Sequence, residues 1–298
     1  MLLSRRALLA AAPALGRAAG PGVKREVFLA SPKKGVAVMA YAFYTRRGGG
    51  QMRSVEQRFS RSDTVDVAYI RHSRDHGRTW SAPEEMITGE RRPEGMLRRH
   101  PRAGFVDRAT GRYVEFWVEG VLPSDDPLEG MRQWNLFYRV DGGPALQIIH
   151  AGDEYGPRHP LPGIWTGKNC VMLGDVPCVP INARDGSILL PAITTPLGPD
   201  GKLYNPTGGY TYTDAAILIG RWQGRELRWE MSDVVKGDPA RVTRGMDEPT
   251  IEFLEDGRVL MILRGSNDKN PQLASRRWMA YSSDGGRRWT KPEPWTYD

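Results

Sequence analysis

The most suggestive chemistry in this sequence is a carboxylate and a guanidinium at the two ends of one predicted hairpin. Residues 248–264 read as Glu248, an apolar run from Thr250 to Leu254, the turn dipeptide Asp256-Gly257, a second apolar run from Val259 to Leu263, and Arg264. Asp-Gly between apolar runs is the strongest short hairpin signal. Such a turn returns the chain beside its start, so Glu248 and Arg264 can face the same end of one sheet. A carboxylate there can accept a proton, and a guanidinium offers paired planar donors that match a carboxylate ligand. An arginine closing an apolar run is costly to leave unpaired. The plainer alternative is a hairpin with two ordinary exposed ends. A second candidate lies in Glu56-Gln57-Arg58-Phe59-Ser60-Arg61-Ser62-Asp63, where Asp63 ends a polar loop before the strand Val65–Ile70. Read from the residues alone, Asp63 or Asp66 could simply cap a turn of this polar loop.

These groups need a scaffold, and two copies of one eight-residue pattern indicate which. Ser73, Asp75, Gly77, Thr79 and Trp80 fit S-x-D-x-G-x-T-W, and Ser282, Asp284, Gly286 and Trp289 fit it with Arg288 in place of Thr. In a hairpin connection Asp caps the turn amides, Gly permits positive φ, and Trp packs under the sheet. Four units of alternating apolar strands precede or contain these turns, with further hairpin signals at Asp107 to Gly111 and Asp185-Gly186, and an eroded turn at Asp141-Gly142-Gly143. Sustained helical periodicity is missing; Glu226 to Val235 alone reads as a short helix.

The paired patterns resemble the Asp-box of the sialidase (neuraminidase) superfamily and other BNR-repeat propellers. The resemblance implies an all-β fold, a six-bladed β-propeller of the sialidase type with about four blades in this chain. The 278 residues after position 20 then divide into units of about 70 each. The last pattern ends nine residues before Asp298, so the resemblance leads us to expect a propeller spanning 21–298 that is C-terminally incomplete. It also assigns roles. Asp63 is the general acid/base, Glu248 takes the proton of a tyrosine nucleophile, and Arg264 is one of three arginines clamping the substrate carboxylate. Arg58 and Glu56 fall at the pocket rim, and Arg25 has the place of the first clamp arginine although the family's R-I-P signature is absent. The tyrosine and the third arginine belong to later repeats, expected beyond Asp298. A phenol suits an acidic sugar because it is neutral until deprotonated, whereas a carboxylate nucleophile would be repelled.

Forty per cent apolar residues can bury a large core, and 34 glycines and 23 prolines, many placed singly between short apolar runs, suit many turns. Ser4-Arg5-Arg6 followed by an apolar run to Leu15 and Ala18-Ala19-Gly20 reads as a signal peptide over residues 1–20, of the twin-arginine type, placing the mature protein in the periplasm or outside the cell. The run is too short for an ordinary membrane span. Removing it takes away three arginines and lowers the net charge from +7 to +4, a balance that suits an anionic ligand but more commonly reflects a solvated basic surface. No basic and aromatic block suggests nucleic acid. Cys170 and Cys178 could form a disulfide or remain two buried thiols. No HExxH, GxSxG, GxGxxG or P-loop is present, so neither metal nor nucleotide cofactor is implied. The His72/His76 spacing falls on a strand and turn and does not suit a metal pair. The basic segment Arg92–His100 could line the pocket, but runs of charge usually face water and it reads first as a solvated loop. Trp165–Asn169 and Gly208–Tyr212 could touch a sugar or serve turns and core. Tyr281, inside a strand, reads as structural. The readings thus stand as a sialidase-like exo-glycosidase, a non-catalytic propeller binding carbohydrate or protein, or a propeller hydrolase or lyase for another acidic glycan.

Overall fold

The computed structural model describes residues 25–61, 64–126, 134–148, 171–172, 178–196, 198–199, 204–209 and 212–296. The expected leader at 1–20 and Cys170 lie outside these residues. Among the described residues the chain is all-β, and successive stretches build four antiparallel sheets in a propeller arrangement.

Blade 1 holds β1 (Ala37–Tyr44), β2 (Met52–Phe59), β3 (Val67–Ser73) and β4 (Glu84–Met86). Blade 2 holds β5 (Gly89–Arg92), β6 (Gly95–Pro101), β7 (Phe105–Val106), β8 (Tyr113–Leu122), β9 (Trp134–Val140) and β10 (Leu146–Gln147). In blade 3, β11 (Val171–Met172) and β12 (Ile181–Asn182) both pair with β13 (Ile188–Thr194), followed by β14 (Asp214–Gln223) and β15 (Glu226–Met231). Blade 4 holds β16 (Asp247–Phe253), β17 (Val259–Gly265), β18 (Arg276–Ser282) and β19 (Glu293–Pro294).

Two cores explain why blade 3 is apolar on both faces. Along a strand successive side chains point to opposite faces, so Leu190 and Leu218 join Phe116, Leu136 and Tyr138 of blade 2, while Leu189, Ile217 and Ile219 join Met261, Leu263 and Trp278 of blade 4. The same alternation overturns the helix expected over Glu226 to Val235. Leu227 and Trp229 are buried while Glu226, Arg228 and Glu230 are exposed, a period of two that pairs β15 with β14.

The turns of neighbouring blades align at one end, here the lower end. In blade 1 the amide of His76 donates to Gly50 O, joining the turn after β3 to the turn after β1. Arg47 of that turn donates to Arg108 O of blade 2, the Arg108 amide donates to Asn182 Oδ1 of blade 3, and Arg112 reaches Gly224 O. Strand direction then puts the β2–β3 connection, the starts of β6 and β16 and the ends of β8 and β17 at the opposite, upper end. There Arg61 of blade 1 meets Asp125 of blade 2, and the Met246 amide before β16 donates to Thr213 O before β14.

Candidate functional site

The hairpin β16–β17 brings Glu248 and Arg264 together at the upper end. Asp247 pairs with Arg264, but the register then skips to Thr250 opposite Ile262, a bulge that sets Glu248 and Pro249 out of the ladder. Glu248 has φ 46, a left-handed backbone that costs a non-glycine residue on the order of 1 kcal/mol. The Asp247 carboxylate accepts from the Glu248 amide at 2.9 Å and helps hold that turn. So re-aimed, Glu248 Oε1 lies 2.5 Å from Arg264 Nη1, and Arg264 Nε donates to Ser266 Oγ at 2.8 Å. The side chains stay accessible, 27% for Glu248 and 46% for Arg264.

The connection from β15 to β16 supports this end by close backbone contact. Gly245 has φ 72, and a Cβ there would sit 2.0 Å from Thr213 O. Thr213 Oγ1 in turn donates to Met246 O at 3.0 Å. Gly245→Ala is expected to cost at least about 2 kcal/mol by urea unfolding, because both space and backbone resist it; an unchanged midpoint would contradict this packing. Beside it Asp214, 3% exposed at the start of β14, is pushed up to about 6 by burial, with Lys236 and the Gly237 amide pulling the other way. A carboxyl poised near neutrality is a mark of functional sites. It stands at the head of an apolar strand, where nothing in the sequence distinguishes it from an ordinary strand end. Tyr212, whose hydroxyl donates to Gly237 O at 3.0 Å, is likewise raised by burial and then by Asp214.

On blade 1 the anticipated residues divide. Gln57 donates to Pro101 O of blade 2 at 3.0 Å, so alternation turns Glu56 and Arg58 to the other face. Glu56 is 2% exposed and accepts from Arg71 at 2.7 Å, an internal ion pair. Arg58 lies over the Tyr69 ring at 4.6 Å. Asp63 lies outside the described residues, whereas Asp66 caps the turn by accepting from the Ser60 amide. Arg25 is exposed ahead of β1. The segment Arg92–His100 is not the solvated loop expected. It closes the hairpin β5–β6, with Arg98 and His100 both buried. Burial, then Arg102 and Arg98, lowers His100 to about 3, so the imidazole is neutral at physiological pH. Trp165–Asn169 lies outside the described residues, as do Tyr210 and Thr211; Gly209 packs against Asp268. Tyr281 lies in β18 with Arg258 over its ring at 4.7 Å.

The two matching turns form the lower end and have structural partners. Asp75 accepts from the Thr79 amide and hydroxyl, and the Gly77 amide donates to Ser73 Oγ. Asp284 accepts from the Arg288 amide and Nε, so Arg288 replaces the threonine hydroxyl with a guanidinium N–H, and the Gly286 amide donates to Ser282 Oγ. Trp80 meets Phe28 edge-on, and Trp289 donates to Gly286 O. Thr79 and Ser73 lower Asp75 to about 2; burial pushes Asp284 up, yet the bonds from Arg288 and Ser282 together bring it down to about 2. A depressed carboxyl stabilises the fold above its ordinary value of 3.8 and loses that contribution as pH falls through about 2. The double variant Asp75→Asn/Asp284→Asn should therefore show a flatter decline in Tm between about pH 4 and 2 than the parent. Parallel declines would contradict the assignment.

Solved structures similar to this chain are carbohydrate-active enzymes. They include an ulvan lyase of a new polysaccharide lyase family, with TM-score 0.49 and 11% identity over 84% of this chain and 54% of that one. A Trypanosoma rangeli sialidase mutant displaying trans-sialidase activity gives 0.48 and 15% over 81% and 35%. The intramolecular trans-sialidase from Ruminococcus gnavus gives 0.48 and 12% over 87% and 70%. The chain spans about half the length of the ulvan lyase and about a third of the T. rangeli enzyme. No family model matches the sequence, and no curated protein does. The propeller arrangement itself rests on the four sheets.

Proposed function

We propose that this chain belongs to an exported sialidase-like exo-glycosidase that removes a terminal sialic or related acidic sugar with retention. The observation carrying this reading is the Glu248–Arg264 pair, accessible and held by a strained bulge at the end of the blade opposite the structural turns. Arg264 offers paired donors to a sugar carboxylate. Glu248, once its arginine engages substrate, is left as a proton acceptor for a neutral nucleophile. Asp63 would protonate the leaving oxygen and then activate water, as the family resemblance implies. The nucleophilic tyrosine of that resemblance is not assigned to any residue of this chain. A propeller of six blades and export of the mature protein by residues 1–20 to the periplasm or the medium complete the reading. No helix among the described residues is long and apolar enough to cross a membrane.

Incubating the whole protein to which this chain belongs with sialosides, uronic-acid glycans and neutral glycans tests this directly. Release of a terminal acidic sugar, with KM raised in Arg264→Lys because a point charge replaces a planar fork, is the expected result. Binding of acidic sugars without release, unchanged in Asp63→Ala, would replace the enzyme with a non-catalytic carbohydrate-binding propeller. Neither binding nor release of any acidic sugar would remove the proposal.

A further inference from the structure

A second ion pair occupies the upper end of blade 2 and mirrors the first with its charges exchanged. In blade 4 the acid stands on β16 and the arginine on β17; in blade 2 the arginine, Arg98, stands on β6 and the acid, Asp125, follows β8. Arg98 grips Asp125 with two bonds of 2.7 Å, from Nε and Nη2. Four described non-glycine residues have left-handed backbone, at φ 60 for His76, 56 for Asp125, 49 for Asp141 and 46 for Glu248. His76 and Asp141 sit in lower turns; Asp125 and Glu248 are the two upper acids paired with arginine. Backbone strain of this kind persists only where surrounding structure over-determines it, and it gathers at functional positions.

The pair is not electrically balanced. Arg61, from the end of blade 1, approaches the same carboxylate at 3.7 Å with nearly half its side chain exposed. Arg91, on β5 of the hairpin that carries Arg98, is exposed, makes no ion pair among the described residues, and adds its field to those of Arg98 and Arg61 in keeping Asp125 ionised. One carboxylate is therefore shared by guanidinium groups from two blades. Arg98 is buried, so the donors within reach of an incoming group are those of Arg61 and Arg91, which are exposed. A guanidinium with unused donors beside a fixed counter-ion is suited to a planar or tetrahedral oxyanion.

We infer that Arg61 and Arg91, anchored by the Arg98–Asp125 pair, form a subsite for a second anionic group, a carboxylate or sulfate on a neighbouring sugar. This rests on the glycan reading above and narrows it: the ligand is an acidic oligosaccharide and not an isolated terminal acid. The test is titration calorimetry of the full chain with an oligogalacturonate hexamer, a sulfated heparin hexasaccharide and neutral maltohexaose. The double variant Arg61→Ala/Arg91→Ala is compared with Arg225→Ala/Arg228→Ala, which removes the same charge from exposed positions on blade 3. At least one acidic hexamer should bind more tightly than maltohexaose. Its Kd should rise about tenfold or more in the first variant, one exposed charge-assisted contact's worth per group, and little in the second. The acidic hexamer showing the larger loss identifies carboxylate or sulfate. Equal losses in both variants, or no preference over the neutral hexamer, overturn the subsite. Free N-acetylneuraminic and glucuronic acids titrated into Arg264→Ala separate the two ideas. If Arg264 governs their binding while Arg61 and Arg91 leave hexamer affinity unchanged, the subsite alone falls. If Arg264 has no effect, the parent reading falls.

Discussion

Glu248→Gln is expected to lower turnover of an acidic-sugar substrate by about 10²–10⁴-fold, the range lost with a positioned proton acceptor. Glutamine keeps the size of the side chain and an oxygen that can still accept from Arg264, so folding and substrate affinity should change little. A second substitution separates function from architecture. Glu248 holds φ 46, which glycine adopts freely, so Glu248→Gly is expected to leave the protein as stable as the parent or more so while abolishing turnover. Unfolding midpoints and initial rates measured together check both statements. Substantial activity in Glu248→Gln would contradict the proton-acceptor role, and a clear loss of stability in Glu248→Gly would show that the carboxylate holds the bulge and not the reverse.

Asp107→Ala is expected to cost about 3–5 kcal/mol of stability, because it strips a hydrogen-bonded charge from between two blades. Asp107 is fully buried in the turn after β7. Its carboxylate accepts from the Thr110 amide at 3.0 Å, the Trp222 indole at 2.8 Å and the Asn182 amide, so blade 2's turn is tied to two strands of blade 3. Burial raises the Asp107 carboxyl, yet the bonds from Thr110, Asn182 and Trp222 hold it below the usual range, so it stays charged at neutral pH. Truncation leaves two interblade donors facing a void. A cycle with Trp222→Phe should return a coupling of about 1 kcal/mol or more by chemical unfolding. A loss under about 1 kcal/mol for Asp107→Ala would mean that the apolar cores alone hold the blades together.

These two residues show what the sequence could reveal. Glu248 and Arg264 were legible because one hairpin with an Asp-Gly turn encodes their meeting within sixteen residues. The lower turns were legible for the same reason, each being closed within eight residues. Asp107 was visible only as part of a hairpin, since Asn182 and Trp222 lie 75 and 115 residues away. Asp214 and Asp125 were not distinguished, because burial and shared arginines are properties of packed blades and not of local spacing. Arg92–His100 misled for a related reason. A charged run ordinarily faces water, but here β6 is an inner strand between β5 and β8, and burial of Arg98 is compensated by the bidentate carboxylate. The segment Glu226 to Val235 reads as a short helix by its charge, but its charged and apolar residues alternate with the period of two that β15 follows. For Glu56 the motif spacing was matched, yet the face was set by β2 packing on blade 2 through Gln57.

The most direct measurement is a crystal structure of the full chain soaked with N-acetylneuraminic acid and, separately, glucuronic acid. The sugar is expected at the upper end of blade 4, with its carboxylate against the Arg264 guanidinium and Glu248 released from that contact toward the ring. An acid bound only at the lower turns, or an upper end where Glu248 and Arg264 keep their 2.5 Å pair untouched by either sugar at saturating concentration, would contradict it.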